Sequence, residues 1–194
     1  MAKDLRTYVD ELVAVRPDDL LVWDEEIDPR FGVTAVIERL ENEGRNPAVL
    51  FPRVKGSQFP CLINLGASFS RLALALGKRD VRSAVDDLAF RESTPVPPKT
   101  VRREDAPVKE VVLRGKEINL DLFPILVHNE FDGGYYIDAG PMMLRQRGTG
   151  AYNIGLYRHQ KHDRNRLGVM INPANHGNYI RAEYEDHNEP TQCA

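Results

Sequence analysis

The chain has 194 residues, of which 42% are hydrophobic and 28% charged, and a formal net charge of -3. That length suits one large domain or two small ones, and the composition is that of an ordinary globular protein. The slight acidity argues against a broad electrostatic footprint for nucleic acid. No apolar run approaches the roughly 20 residues that a membrane span needs.

The opening run, MAKDLRTYVDELV, lacks the apolar centre of a signal peptide. Leu5, Tyr8, Val9, Leu12 and Val13 recur at helical spacing, which predicts an amphipathic helix over about residues 3–14. LLVWDEEID reads as a short strand ending in acidic residues. A second helix is expected from about Gly32 to Glu43, with Val33, Val36, Ile37 and Leu40 on its apolar face and Gly44 as its left-handed stop. PAVLF and CLINL are short apolar runs bounded by turn formers and read as strands. A third helix is expected over about Phe69 to Leu76 and a fourth over about Val81 to Arg91. Helices and strands alternate closely here, as in an α/β layer. The chain has two cysteines, and Cys61, within CLINL, reads as a buried small hydrophobe. With Cys193 it makes no disulfide framework, so a reducing, cytoplasmic setting is expected.

Thr94 to Lys99 contains Pro95, Pro97 and Pro98. Prolines at that density break both helix and ladder, so a domain boundary is placed there: 1–98 and 99–194. Beyond it the pattern turns to strands. VKEVVLRG, YYIDAG, PMMLRQ, AYNIGLYRHQ and LGVMI are strand-like and are separated by DGG, RGTG and HDRN. RGTG is a hairpin signal. The expected fold class is therefore α+β, with a mixed α/β domain followed by antiparallel β structure, a barrel or a sandwich. About His176 to His187 has the spacing of a final helix.

Candidate chemistry lies in the second region. On a strand, Asn153, Gly155, Tyr157 and His159 share one face, and Ile154, Leu156, Arg158 and Gln160 the other. If the β region closes into a barrel, one set faces inward. The Arg158 set would then put a cation beside buried aliphatics, where it needs an anionic partner. His176 follows a Pro-Ala-Asn turn and opens a helix, whose amide groups suit an anion. An imidazole with an amide oxygen and a carboxylate suits manganese or magnesium bridging a phosphate. The competing reading is that Asn172, Asn175 and His176 are turn formers and caps, and Arg158 a surface ion-pair member. His159 and His162 read as solvated, and Asp24, Glu25, Glu26 and Asp28 as a solvated strand end. Tyr135 and Tyr136 can line a pocket, although strand tyrosines are usually core or rim. No glycine fingerprint or nucleophile elbow is present.

The blocks WDEEIDPRFGVTAVIERL, KGSQFPCLINLGASFSRLALALG and NIGLYR, in that order, resemble UbiD-like decarboxylases over essentially the whole chain. The resemblance implies an N-terminal α/β domain followed by a barrel-like flavin-binding domain. It implies a carboxy-lyase that reversibly and non-oxidatively decarboxylates a small aromatic or α,β-unsaturated carboxylic acid. The implied cofactors are prenylated FMN, made by a separate flavin prenyltransferase, and manganese, often with potassium. By motif, Asn153 and His176 match metal ligands. Arg158 matches the arginine that contacts the flavin and positions the substrate carboxylate. Leu156, Tyr157, Met170, Ile171, Asn172 and Asn175 fall at flavin-contact positions. INPANHG departs from the Arg-Gly pattern of some members. The family's metal-binding glutamate and its acid–base carboxylates lie beyond His176, and Glu183 and Glu185 are too close to be them. The β domain is thus expected to be incomplete, the piece alone inactive, and the full-length protein a homo-oligomer. The alternative is a non-catalytic subunit or scaffold of a split decarboxylase.

Overall fold

The computed structural model describes residues 3–194. They divide into two compact units, Met1–Asp28 with Gly32–Ile118, and Pro29–Phe31 with Asn119–Ala194. The first of these units runs through the Pro-rich passage as far as Ile118.

In the first unit, α1 (Leu5–Val15) starts where Asp4 accepts a hydrogen bond from the Thr7 amide and the Thr7 hydroxyl accepts one from the Asp4 amide. This reciprocal cap satisfies amides that the first turn leaves free. A 3-10 turn leads into β1 (Leu20–Val22), and then follow α2 (Gly32–Asn42), β2 (Ala48–Phe51), β3 (Cys61–Ile63), α3 (Phe69–Ala75) and α4 (Val81–Ser93). Gly44, at φ 72°, turns the chain out of α2. The sheet order is β1-β2-β3, with β1 parallel and β3 antiparallel to β2. LLVWDEEID is a strand only in its apolar first residues, and its acidic end is exposed.

Tyr8, Leu12, Ala48 and Leu74 form a core cluster that joins α1, β2 and α3. Arg71 is buried beside it, at 2% exposure. Its guanidinium donates to the carbonyls of Asn46, Asn64 and Leu65 at 2.8, 3.0 and 3.2 Å. A buried cation is tolerated only when its donors are met in this way. Cys61 is half-buried rather than fully buried, and desolvation pushes its thiol above the ordinary value. Both cysteines are free.

The segment from Thr94 to Lys99 has no helix or strand. VKEVVLRG is a correction to the expected strands: it forms 3-10 turns and irregular chain, with Val108 and Val111 exposed. Its β-branched residues suit a strand, but no neighbouring strand offers them a ladder.

In the second unit, β4 (Tyr136–Arg145), β5 (Tyr152–Asp163) and β6 (Arg166–Val169) form an antiparallel sheet in that order. The runs YYIDAG and PMMLRQ, read as separate strands, join into β4 through a bulge between Ile137 and Gly140. LGVMI contributes to β6 only as far as Val169. RGTG makes the β4–β5 turn, with Gly150 at φ 73°. The free edge of β4 pairs with the last residues: the Met143 amide donates to the Ala194 carbonyl, and the Ala194 amide to the Met143 carbonyl. Pro29 and Phe31 bond Val127 through their backbones. The final helix, α5 (His176–Glu185), packs on one face of the sheet, where Met142, Leu144, Tyr157, Ile180 and Tyr184 form the core. Among the described residues the sheet is open and three-stranded, not a closed barrel.

Candidate functional site

The alternation of β5 decides where each candidate points. Asn153, Gly155, Tyr157 and His159 lie on the face that α5 covers, opposite Leu144, Met142, Gly140 and Ile137 of β4. Tyr157 is the residue that seats the helix. A Cβ on Gly155 would come within 2.7 Å of its ring, and one on Gly177 would collide with its hydroxyl. Two glycines therefore make room for one aromatic ring between strand and helix. This places the Tyr157 side chain in the core. His159, expected to be solvated, is half-buried on the same face, and its Nδ1 is buried without a hydrogen-bond partner.

Asn153 and His176 share a pocket of about 250 Å³ with Gln146, Tyr152, Tyr179, Ile180 and Glu183. His176, Tyr179, Ile180 and Glu183 repeat at helical spacing, so one face of α5 forms this wall. Gln146 donates to Glu183 Oε1 at 2.9 Å, and Glu183 Oε2 is buried with no partner. An amide oxygen, an imidazole nitrogen and a nearby occluded carboxylate oxygen are donors that a divalent cation accepts. The pocket fits such an ion in chemistry. No group of three or more His, Cys, Asp or Glu suited to a metal occurs among the described residues.

Arg158 is on the opposite face of β5. It does not lie beside buried aliphatics, because Ile154 and Leu156 on that face are 62% and 73% exposed. Its guanidinium sits 4.1 Å from the centre of the Tyr136 ring. Asp132 Oδ1 lies 3.4 Å from Nη2 and Asp138 Oδ1 lies 3.7 Å from Nε. Tyr136, Arg158, Gln160, His162, Gly168, Val169 and Met170 line a second pocket of about 270 Å³. Gln160 is fixed by donating to the Gly133 carbonyl at 2.9 Å. Cation–π stacking and two carboxylates hold the arginine while one side of it faces open space.

The remaining candidates separate by role. Met170 is 65% exposed and lines the Arg158 pocket. Ile171 packs against the core under α5. Asn175 caps α5, its side chain accepting from the Asn178 amide at 3.0 Å. The exposed Asn172 closes the preceding turn by accepting from the Asn175 amide. Asp24, Glu25, Glu26 and Asp28 are exposed. The structure thus brings Asn153 and His176 together and sets Arg158 apart from them. Sequence reading missed Gln146, Tyr152 and Tyr179 in the first pocket, and Asp132 and Asp138 as the partners of Arg158. The one available signal was the helical repeat from His176 to Glu183.

Both regions of the chain match known proteins. Residues 15–91 match the family described as 3-octaprenyl-4-hydroxybenzoate carboxy-lyase N-terminal domain. Residues 99–194 match the Rift-related domain of the same carboxy-lyase. A phenolic acid decarboxylase of Sedimentibacter hydroxybenzoicus is 34% identical over 179 residues, which is 87% of this chain and 36% of that protein. The closed form of the vanillic acid decarboxylase of the same organism superposes with a TM-score of 0.89 at 31% identity, over 100% of this chain and 42% of that one. The UbiD-class enzyme HmfF of Pelotomaculum thermopropionicum, solved with prFMN, gives a TM-score of 0.88 at 29% identity, over 97% and 42%. The chain therefore spans about two-fifths of the length of these relatives. Matching both domains in order, it belongs to the UbiD-like decarboxylase family.

Proposed function

We propose that this chain is the N-terminal part of a prenylated-FMN-dependent carboxy-lyase, which decarboxylates an aromatic or α,β-unsaturated carboxylic acid reversibly and without net oxidation. The observation that carries the reading is the convergence of Asn153 and His176 on one pocket, beside the occluded Glu183 oxygen. In this reading Asn153 and His176 would hold manganese, with potassium as a further cation, and the metal would offset the charge of the cofactor phosphate. Arg158 meets the flavin and the substrate carboxylate from the open face. Leu156 and Met170, both exposed, offer apolar contact to the cofactor. Tyr157, Ile171 and Asn175 act on it through the backbone they fix, and Asn172 lies beside them. When bound, the prenylated flavin supplies the electron sink, while the protein supplies orientation and electrostatics.

The partners implied are a flavin prenyltransferase that supplies the cofactor and further copies of the protein in a homo-oligomer. The setting is the cytoplasm, and the evolutionary domain boundary lies at 98/99. Among the described residues no helix is long and apolar enough to cross a membrane.

The test is to co-express the chain, with the remainder of the relatives' length supplied, alongside a flavin prenyltransferase. The purified protein should carry flavin absorbance and bound manganese. Asn153→Ala and His176→Ala should lose the metal while keeping the fold. A protein that takes up no flavin overturns the reading. Flavin and metal retention without decarboxylation would favour a non-catalytic subunit of a decarboxylase complex.

A further inference from the structure

Strand β4 carries one residue too many opposite Arg158. Ile137 pairs with His159 and Gly140 with Tyr157, so Asp138 and Ala139 together face the single residue Arg158. A bulge of this kind leaves a residue outside the ladder, bends the strand and re-aims a side chain. Here the re-aimed side chain is Asp138. Its Oδ1 lies 3.7 Å from Arg158 Nε. Its Oδ2 lies 3.0 Å from His128 Nδ1, at ion-pair distance but without hydrogen-bond alignment. Without the extra residue, every position on one side of that point would change face. Gly140, the next residue, is also constrained, since a Cβ there would come within 2.8 Å of His159 Nδ1.

We propose that Asp138 is a positioning residue: the bulge delivers its carboxylate to Arg158 so that the guanidinium stays over Tyr136. The proposal deepens the reading of Arg158 as the residue that meets a carboxylate, and rests on it. Two carboxylates already face this guanidinium, so the arrangement adds no free positive charge to attract an anion. What it adds is orientation. Asp132, Asp138 and the Tyr136 ring restrain the guanidinium through different atoms and leave it one open side. An exposed ion pair alone restrains a long side chain weakly, whereas several fixed partners around a planar group define its plane.

The test is nuclear magnetic resonance of the arginine side chains in the 194-residue chain, with the Arg158 Nε–H signal assigned by its loss in Arg158→Lys. In the unsubstituted chain, the Arg158 Nε–H vector, which faces Asp138, should be ordered on the nanosecond timescale. Asp138→Ala should free it, with the Nε–H order parameter falling from the range of rigid backbone, about 0.85, to the flexible range below about 0.6. Asp138→Asn keeps the shape and one acceptor oxygen and should give a smaller fall. The backbone amide signals of Tyr152–Tyr157 and α5 should stay in place, which separates positioning from loss of fold. If Asp138→Ala disturbs those amides, Asp138→Asn decides. Unchanged Arg158 Nε–H order in a folded Asp138→Ala variant overturns the proposal. The measurement involves no cofactor and no turnover. A protein that takes up no flavin would therefore overturn the functional reading and leave this result standing.

Discussion

The two faces of the β4–β5–β6 sheet are built from the same strands and solve opposite problems. One is closed by α5, and its residues are chosen for fit: Tyr157 is 7% exposed and Leu144 is 2% exposed. The other is open, and its central aliphatics, Ile154 and Leu156, are mostly in solvent. Asn153 and Arg158 are five positions apart in sequence yet belong to different faces. The difference teaches that a single strand carries two separable tasks. The closed face brings Asn153 and His176 to one pocket through a packed helix. The open face presents Arg158 beside apolar surface that still has room for a ligand. Substitutions on the first should therefore act on stability, and those on the second on surface properties and binding.

The sharpest way to break this contrast is Tyr157→Ala. It removes the ring that seats α5 and should cost about 3–5 kcal/mol, as large-to-small core changes of aromatics do. Urea unfolding followed by circular dichroism measures it, and a loss below about 1 kcal/mol would mean that Tyr157 is not a core residue. Gly177→Ala attacks the same contact from the helix side. Alanine is the better helix former by about 1 kcal/mol, so a stabilised variant is the expectation from propensity alone. The clash with the Tyr157 hydroxyl reverses that sign, and the net change should be a destabilisation of about 1–3 kcal/mol. On the open face, Leu156→Gln should leave stability within about 0.5 kcal/mol. It should also reduce binding of a dye that reports apolar surface. A large stability loss here would show that the face is not open in solution.

Much of this was legible from residue periodicity. The five α-helices appear where apolar spacing, Gly44 and the capping residues place them. The alternation along NIGLYRHQ correctly sorts Asn153 from Arg158. The failures share a physical cause, which is partnership between distant segments. VKEVVLRG has strand composition but no neighbour to pair with, and a strand cannot be recognised from one side of a ladder. The open sheet agrees with an incomplete barrel-like domain, but which edges meet was not legible, since that too depends on distant segments. His159 was read as solvated because it comes shortly before a turn, but it shares the Tyr157 face of β5 and is half-buried there. Asp138 was invisible for a different reason. Its role depends on a bulge that shifts the register by one residue, and alternation counting assumes that the register is constant.

The smallest effect concerns the far end of the same sheet. Asp163 closes the β5–β6 turn, where its Oδ1 accepts from the Arg164 amide at 2.7 Å and its Oδ2 from Arg166 at 3.0 Å. The backbone hydrogen bond first, and then the Arg166 side chain, hold its carboxyl below the ordinary value of 3.8. A lowered folded-state value means that the unfolded chain binds a proton more readily. The contribution to stability is then present above the unfolded value and is lost as pH falls through the folded one. Acidification from pH 5 to pH 2 should therefore loosen this turn, read as lower protection of the Arg164 to Arg166 amides once the intrinsic exchange rate at each pH is divided out. In Asp163→Asn that pH dependence should disappear while exchange around Tyr157 is unaffected. Asp163 is exposed and its partners lie within the turn, so the change should be confined to its own turn. Simultaneous loosening of α5 would instead mean that the two ends of the sheet open as one cooperative unit, and that the closed face is less independent of the hairpin than its packing implies.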